Sequence, residues 1–129
     1  MPFRKPLVLG FTLPLLMTLA AGAQALSLEP LGRYETGLAV GGRTAGETAA
    51  LRGDKLYVTN ADDVSVDIVD VSNPTLPRLL RRVSLAEYGA SVTSVAVSSK
   101  NLIAVAVVAP RKTDPGTVVF LTPSGRVVR

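Results

Sequence analysis

The feature that most constrains this chain is a succession of short β-branched segments separated by turn residues, present twice. In the first unit the expected strands are Thr48 to Leu51, Lys55 to Thr59, Val64 to Val71 and Arg78 to Leu85. Between them stand Arg52-Gly53-Asp54, Asn60 to Asp63 and Ser72-Asn73-Pro74. In the second unit they are Val92 to Val97, Leu102 to Ala109, Gly116 to Thr122 and Arg126 to Arg129, with Ser98 to Asn101, Pro110 to Pro115 and Pro123-Ser124-Gly125 between. Val- and Ile-rich runs bounded by Gly, Pro, Asn and Asp read as strands, and no helical spacing of apolar residues is sustained. The units align at an offset of 46: Ala50-Leu51 with Ala96-Val97, and Leu56-Tyr57-Val58 with Leu102-Ile103-Ala104.

Four short strands per unit at this period is the habit of a propeller blade. The expected fold is all-β and β-propeller-like, with about two four-stranded antiparallel blades, at residues 47–85 and 91–129. Leu102 to Ala109 is apolar on both faces, as a strand covered on both sides would be. Ala104 and Ala106 share a face and are small enough for close sheet approach. Pro30-Leu31-Gly32-Arg33-Tyr34 resembles Pro77-Arg78-Leu79-Leu80-Arg81, so residues 28–36 are expected to be an outer closing strand. Two units do not close a ring of roughly four to eight blades, and strand-like sequence runs up to Arg129. The expectation is therefore the N-terminal portion of a larger ring, whose partners are the remaining blades or another copy of the chain. A single β-sandwich is the alternative that the strand pattern leaves open.

The N-terminus reads as an export signal. Arg4 and Lys5 precede the uncharged run Leu7 to Gly22, and Ala23-Gln24-Ala25 is a small-x-small cleavage triplet. The run falls short of the roughly 20 residues that span a bilayer. Cleavage after Ala25 makes residues 1–25 a signal peptide and 26–129 the working part, placed in the periplasm, at the cell surface or in the medium. No stable membrane span is expected after cleavage.

The sequence holds no cysteine and no histidine. The first absence excludes disulfides and thiolate chemistry. The second removes the commonest general base and the commonest metal ligand. Without Arg4 and Lys5 the net charge falls from +4 to +2, which gives no basic face for nucleic acid. The cluster Arg78, Arg81 and Arg82 lies in an expected strand and reads as a solvated or edge-protecting face.

Val66-Asp67-Ile68-Val69-Asp70-Val71-Ser72-Asn73-Pro74 resembles the LVIVD-type propeller repeat. The wider succession resembles the choice-of-anchor I domain of bacterial surface and secreted proteins. It runs through Tyr57 to Ala61, Val66 to Pro74, Tyr88-Gly89, Ser94 to Val97, Lys112 to Gly116 and Val118 to Phe120. That resemblance implies a propeller longer than this chain. It also implies two kinds of relative: atypical alkaline phosphatases or esterase-like proteins, and cell-surface proteins without known activity.

No residue reads as catalytic. Ser91, Ser94, Ser98 and Ser99 have no partner base. Asp62, Asp63 and Asp67 are the candidate metal ligands, since carboxylate oxygens suit Ca²⁺; the competing reading is turn and strand structure. Arg111 and Lys112, in the loop that departs most from the repeat, are the candidate anion-binding residues. The expected function is an exported scaffold or ligand-binding module without its own catalysis. The alternative is part of an extracytoplasmic phosphatase-like or esterase-like enzyme that depends on a divalent cation.

Overall fold

The computed structural model describes residues 26–38 and 46–128. The expected signal sequence, residues 1–25, lies outside them. Eight strands follow in order: β1 (Ala49–Arg52), β2 (Lys55–Asn60), β3 (Ser65–Asp70), β4 (Arg78–Ser84), β5 (Ser91–Val97), β6 (Ile103–Val108), β7 (Thr117–Leu121) and β8 (Val127–Val128). Turn chemistry explains where they stop. Asp70 accepts a hydrogen bond from the Ser72 amide at 2.9 Å, and Asn73 accepts one from the Thr75 amide at 3.1 Å. Such side-chain-to-backbone bonds offer the chain an alternative to the ladder.

The strands form two antiparallel sheets, ordered β1-β2-β3-β4 (sheet one) and β5-β6-β7-β8 (sheet two). Each strand is paired with its sequence neighbour, so both sheets are meanders. Side chains alternate between the faces of a sheet. On sheet one, Tyr57, Val66, Ile68 and Val83 share the front face, while Val58, Asp67, Val69 and Arg82 share the back. On sheet two, Ala104, Ala106, Val118 and Phe120 share one face, and Val105, Val107, Val119 and Leu121 share the other.

The core lies between the sheets. Tyr57, Val66, Ile68 and Val83 from sheet one cluster with Val92, Val105, Val107, Val119 and Leu121 from sheet two. Burying one such side chain is worth about 1.5–3 kcal/mol, so this seam is the main source of stability. Backbone and polar contacts fasten its edges. Tyr57 Oη donates to the Pro123 carbonyl at 3.4 Å, and Arg52 donates to Asn101 Oδ1 and to the Ser99 carbonyl. Gly125, at φ +82°, sits where a Cβ would lie 2.5 Å from Val83 Cγ2 and 2.9 Å from Ile68 Cδ1. A glycine is required there both by the positive φ and by the close approach of the two sheets.

Pairing corrects the alignment of the two units. Ala50 pairs with Tyr57 and Ala96 with Ala104; Val58 pairs with Asp67 and Val105 with Val119. Tyr57 therefore corresponds to Ala104, not Ile103, and beyond the first hairpin the offset is one residue larger than 46. The cause is the β5–β6 connection. The first hairpin turns on Gly53 and Asp54 between the Arg52–Lys55 pair. The second closes with Ser98 N donating to the Leu102 carbonyl, and accommodates an additional residue with Asn101 at φ 61°. Asn tolerates this left-handed conformation better than most residues.

With the corrected register, the face carrying Ala104 and Phe120 is the front of sheet two, equivalent to the Tyr57–Ile68 front of sheet one. The core thus joins the front of sheet one to the back of sheet two. That is head-to-tail packing of equivalent units, not a symmetric front-to-front sandwich. Two sheets form no closed ring.

The structure differs from expectation at residues 28–36, where there is no strand. That segment instead crosses sheet one as an extended arm. Gly32 abuts the Pro74 carbonyl so closely that a Cβ would lie 2.2 Å from that oxygen. Gly46 lies beside Val58 on the back face and beside Thr36 of the arm.

Candidate functional site

The back of sheet one carries an ionic cluster that joins the sheet to the arm. Asp67 stands opposite Arg82 across β3 and β4. Its carboxylate accepts from Arg82 Nε at 2.6 Å and from Nη2 at 2.8 Å, a two-point contact. Tyr34 Oη in the arm donates to Asp67 Oδ2 at 2.7 Å, and Arg82 Nη2 also donates to the Thr36 carbonyl at 2.6 Å. Asp67, Asn60, Thr59 and Ser65 are all fully buried. The Asn60 amide donates to Ser65 Oγ at 3.2 Å, leaving Asn60 Oδ1 without a partner.

The electrostatics follow from this geometry. Burial pushes the Asp67 carboxyl up, but hydrogen bonds from Arg82, Tyr34 and Asn60 outweigh it and hold the group below the usual carboxylate range. Burial, with the Asp67 hydrogen bond and charge beside it, pushes the Tyr34 hydroxyl up to about 12. The Asp67 hydrogen bond also raises Arg82 above its ordinary value. The cluster is therefore a carboxylate, a guanidinium and a neutral phenol at neutral pH. The Asp67 carboxylate is engaged by Tyr34 Oη and by Arg82 Nε and Nη2.

This arrangement bears on the three candidate metal ligands. Asp67 is sealed under the arm, while Asp62 and Asp63 are exposed in the β2–β3 turn. Among the described residues no three His, Cys, Asp or Glu side chains group so as to hold a metal ion. Asp62 and Asp63 serve a tight turn in which Val64 N donates to the Ala61 carbonyl at 3.3 Å and Val64 takes φ 49°. Asp70, outside the candidate set, bonds Ser72 and pairs with Arg78 at 3.0 Å; these contacts hold its carboxyl at about 2.

Arg111 and Lys112 lie in the exposed β6–β7 loop. Arg111 Nε pairs with Asp114 Oδ2 at 3.0 Å, which offsets its charge locally. Lys112 lines an open groove of about 380 Å³ with Thr93, Ala106, Asp114 and Thr117. The groove carries one cation and one carboxylate on its rim, a balanced rather than anionophilic setting.

The surface that sequence reasoning missed is the front of sheet two. Phe120 is 42% exposed, Val118 56% and Val128 42%. Ala104 pairs with Phe120 and Ala106 with Val118, so two small side chains lie beside two large ones. On the opposite flank Ser94 pairs with Ala106 and Ala96 with Ala104. The signal was present in the all-apolar β6, but only the corrected register reveals which of its faces stays open. Groups of this kind bind by area, not by reaction.

No helix among the described residues is long and apolar enough to cross a membrane. No curated protein and no solved structure matches the chain. The profile of the choice-of-anchor I domain matches residues 48–129. That span covers all eight strands, including the Asp67–Arg82 pair and the open face of sheet two. With its repeated meanders and that match, the chain belongs to the choice-of-anchor I domain family.

Proposed function

We propose that this chain is an exported scaffold module that works by contact between sheet faces and has no catalysis of its own. The observation that carries the reading is the head-to-tail seam: the front of sheet one seats the back of sheet two, and the equivalent front of sheet two is apolar and open. Consecutive units stacked in this way are the construction principle of a β-propeller, so the two sheets are read as consecutive blades. The open front is then the docking surface, and its partner is another sheet. Export is supported by Arg4-Lys5, the run Leu7 to Gly22 and the triplet Ala23-Gln24-Ala25.

A non-catalytic role is supported by how the acidic residues are used. Asp67 is ion-paired, Asp70 caps a turn, and Asp114 pairs with Arg111. Two measurements test the proposal. N-terminal sequencing of the product recovered outside the cytoplasm is expected to begin at Leu26; retention of residues 1–25 would refute cleavage, and recovery from the cytoplasm alone would refute export. A phosphomonoester assay with and without Ca²⁺ is expected to match a heat-denatured control; turnover above it would overturn the non-catalytic reading.

A further inference from the structure

We propose that the cleft between the two sheets, at their β1–β2, β5–β6 and β7–β8 turns, binds a small oxyanion between Arg52 and Lys55. The ligand is the phosphate or carboxylate head of a solute. The proposal does not depend on the open front of sheet two and goes beyond the contact-module reading.

Register puts the two cations on one wall. Arg52 and Lys55 stand directly opposite one another at the end of the first hairpin, and Ala50 pairs with Tyr57 two positions further in. Side chains alternate along a strand, so all four lie on the front face of sheet one. Tyr57 is buried in the seam, whereas Lys55 is half-buried and Arg52 exposed. Here the seam opens as a cleft of about 430 Å³. Arg52, Asp54, Lys55 and Tyr57 line it from sheet one, and Asn101 and Pro123 from the turns of sheet two. Small-ligand sites commonly measure about 300–1,000 Å³. Tyr57 Oη donates to the Pro123 carbonyl at 3.4 Å and closes the floor. A Cβ on Gly53 would meet nothing within 4 Å, so that turn leaves the mouth clear.

The pair is unfavourable on its own. Like charges directly opposite across two strands repel, and the repeat does not require them. In the corrected register the equivalents of Arg52 and Lys55 are Ser98 and Leu102, which close the second hairpin without charge. Asp54 Oδ1 lies 3.1 Å from Lys55 Nζ and offsets part of the repulsion. Two cations and one carboxylate still leave the cleft net positive, unlike the groove at Lys112, where Asp114 balances the one cation. Arg52 is also held in place across the cleft. Its Nε donates to Asn101 Oδ1 at 3.0 Å and its Nη2 to the Ser99 carbonyl at 2.9 Å. A guanidinium has five N–H donors and an ammonium three. Among the described residues Arg52 Nη1 has no hydrogen-bond partner, and Lys55 Nζ has Asp54 alone. Donors therefore remain on both sides of the gap.

An oxyanion seated there accepts from both cations and turns their repulsion into charge-assisted hydrogen bonds. The Tyr57 ring and Pro123 supply an apolar wall for the body of the solute. Because Arg52 and Lys55 belong to sheet one and Asn101 and Pro123 to sheet two, the bound anion spans the seam. Both cations are partly solvated, so salt screens the attraction, and dissociation is expected on the order of 1–10 mM at low ionic strength.

Titrating the ¹⁵N-labelled full chain with sodium phosphate, and separately with sodium acetate, at constant ionic strength tests this by amide chemical shift. The expected result is saturable shifts at Gly53 and Asn101, on turns of different sheets, with one shared dissociation constant for each anion. Tighter binding of phosphate assigns a phosphoryl head, and tighter binding of acetate a carboxylate head. K55Q is expected to weaken binding about fivefold or more. R33Q removes the same charge from the exposed arm and should leave binding within about twofold. No saturable shift with either anion, shifts centred on the loop at 111–116, or equal losses in K55Q and R33Q would overturn the proposal. The wild-type shifts are read without any substitution, so the test does not depend on K55Q folding.

Discussion

Asp67 and Arg82 meet across β3 and β4 in a two-point ion pair, with the Asp67 side chain fully buried and that of Arg82 27% exposed. Removing one partner of such a pair leaves the other buried and uncompensated, which costs about 3–5 kcal/mol in a dry interior. Partial exposure of Arg82 lowers the expectation for D67N to about 2 kcal/mol, read as a lower urea midpoint at unchanged slope.

The same pair sets an acid limit. The folded-state value of Asp67 is depressed, so its contribution is fully present above the ordinary carboxylate value near 3.8 and is lost as pH falls through the folded value. Asp70, held at about 2, acts in the same direction. Urea unfolding across pH 6 to 2 is expected to show stability falling below about pH 4. In D67N the fall should be shallower, and an unchanged slope would mean that Asp67 is not ion-paired.

Tyr34 fastens the arm. Y34F removes one hydrogen bond to a charged acceptor, a loss of about 1–2 kcal/mol. Trypsin cleavage after the exposed Arg33 should then accelerate several-fold through local opening. At alkaline pH the sign is opposite to that of Asp67. The folded protein keeps the Tyr34 proton to about 12 while the unfolded chain loses it near 10, so this contribution is intact below pH 10 and declines above it. An ultraviolet titration should show late-ionising tyrosines, since burial also raises Tyr57, and Y34F should remove one late-ionising group while leaving Tyr57.

Gly125 marks a close approach of the two sheets. G125A adds a Cβ against Val83 and Ile68 and forces alanine into a positive φ. Overpacking and backbone strain together are expected to cost about 2–3 kcal/mol. G53A, at φ +58° but with open space around it, bears only the backbone part and should cost about 1 kcal/mol. Similar losses for both would place Gly125 outside the seam.

Asp62 and Asp63 act as turn residues in this account. Ca²⁺ at about 5 mM should leave the melting temperature of both the wild type and the D62N/D63N double variant unchanged. Binding to a folded-state site would instead raise the wild-type value by mass action.

The sheets were legible because strand composition and turn residues are local signals. Val66 to Val71 and Ile103 to Val108 are dense in β-branched side chains, and Gly53, Pro74 and Gly125 punctuate them. The contacts between strands were not legible in the same way. Counting back from the Asp70–Arg78 pair would set Asp67 opposite Arg81, but an irregularity at Ile68/Val69 advances the register by one and brings Arg82 there instead. Arg82 therefore read as part of a solvated row. The left-handed Asn101 likewise shifted every residue of β6 to the other face relative to the simple repeat. Bulges and turn conformations cost the sequence pattern little but invert faces, and the arm depends on a tyrosine far from its partner in sequence.

The central claim is that β7 presents Val119 to the seam and Phe120 to the outside, at 4% and 42% exposure. In a chain without cysteine, V119C and F120C isolate these neighbouring positions. Thiol reactivity toward a soluble disulfide reagent tests the claim directly. Fast labelling of F120C and labelling of V119C slower by at least 100-fold is the predicted result. Equal rates, or faster labelling of V119C, would contradict the head-to-tail seam.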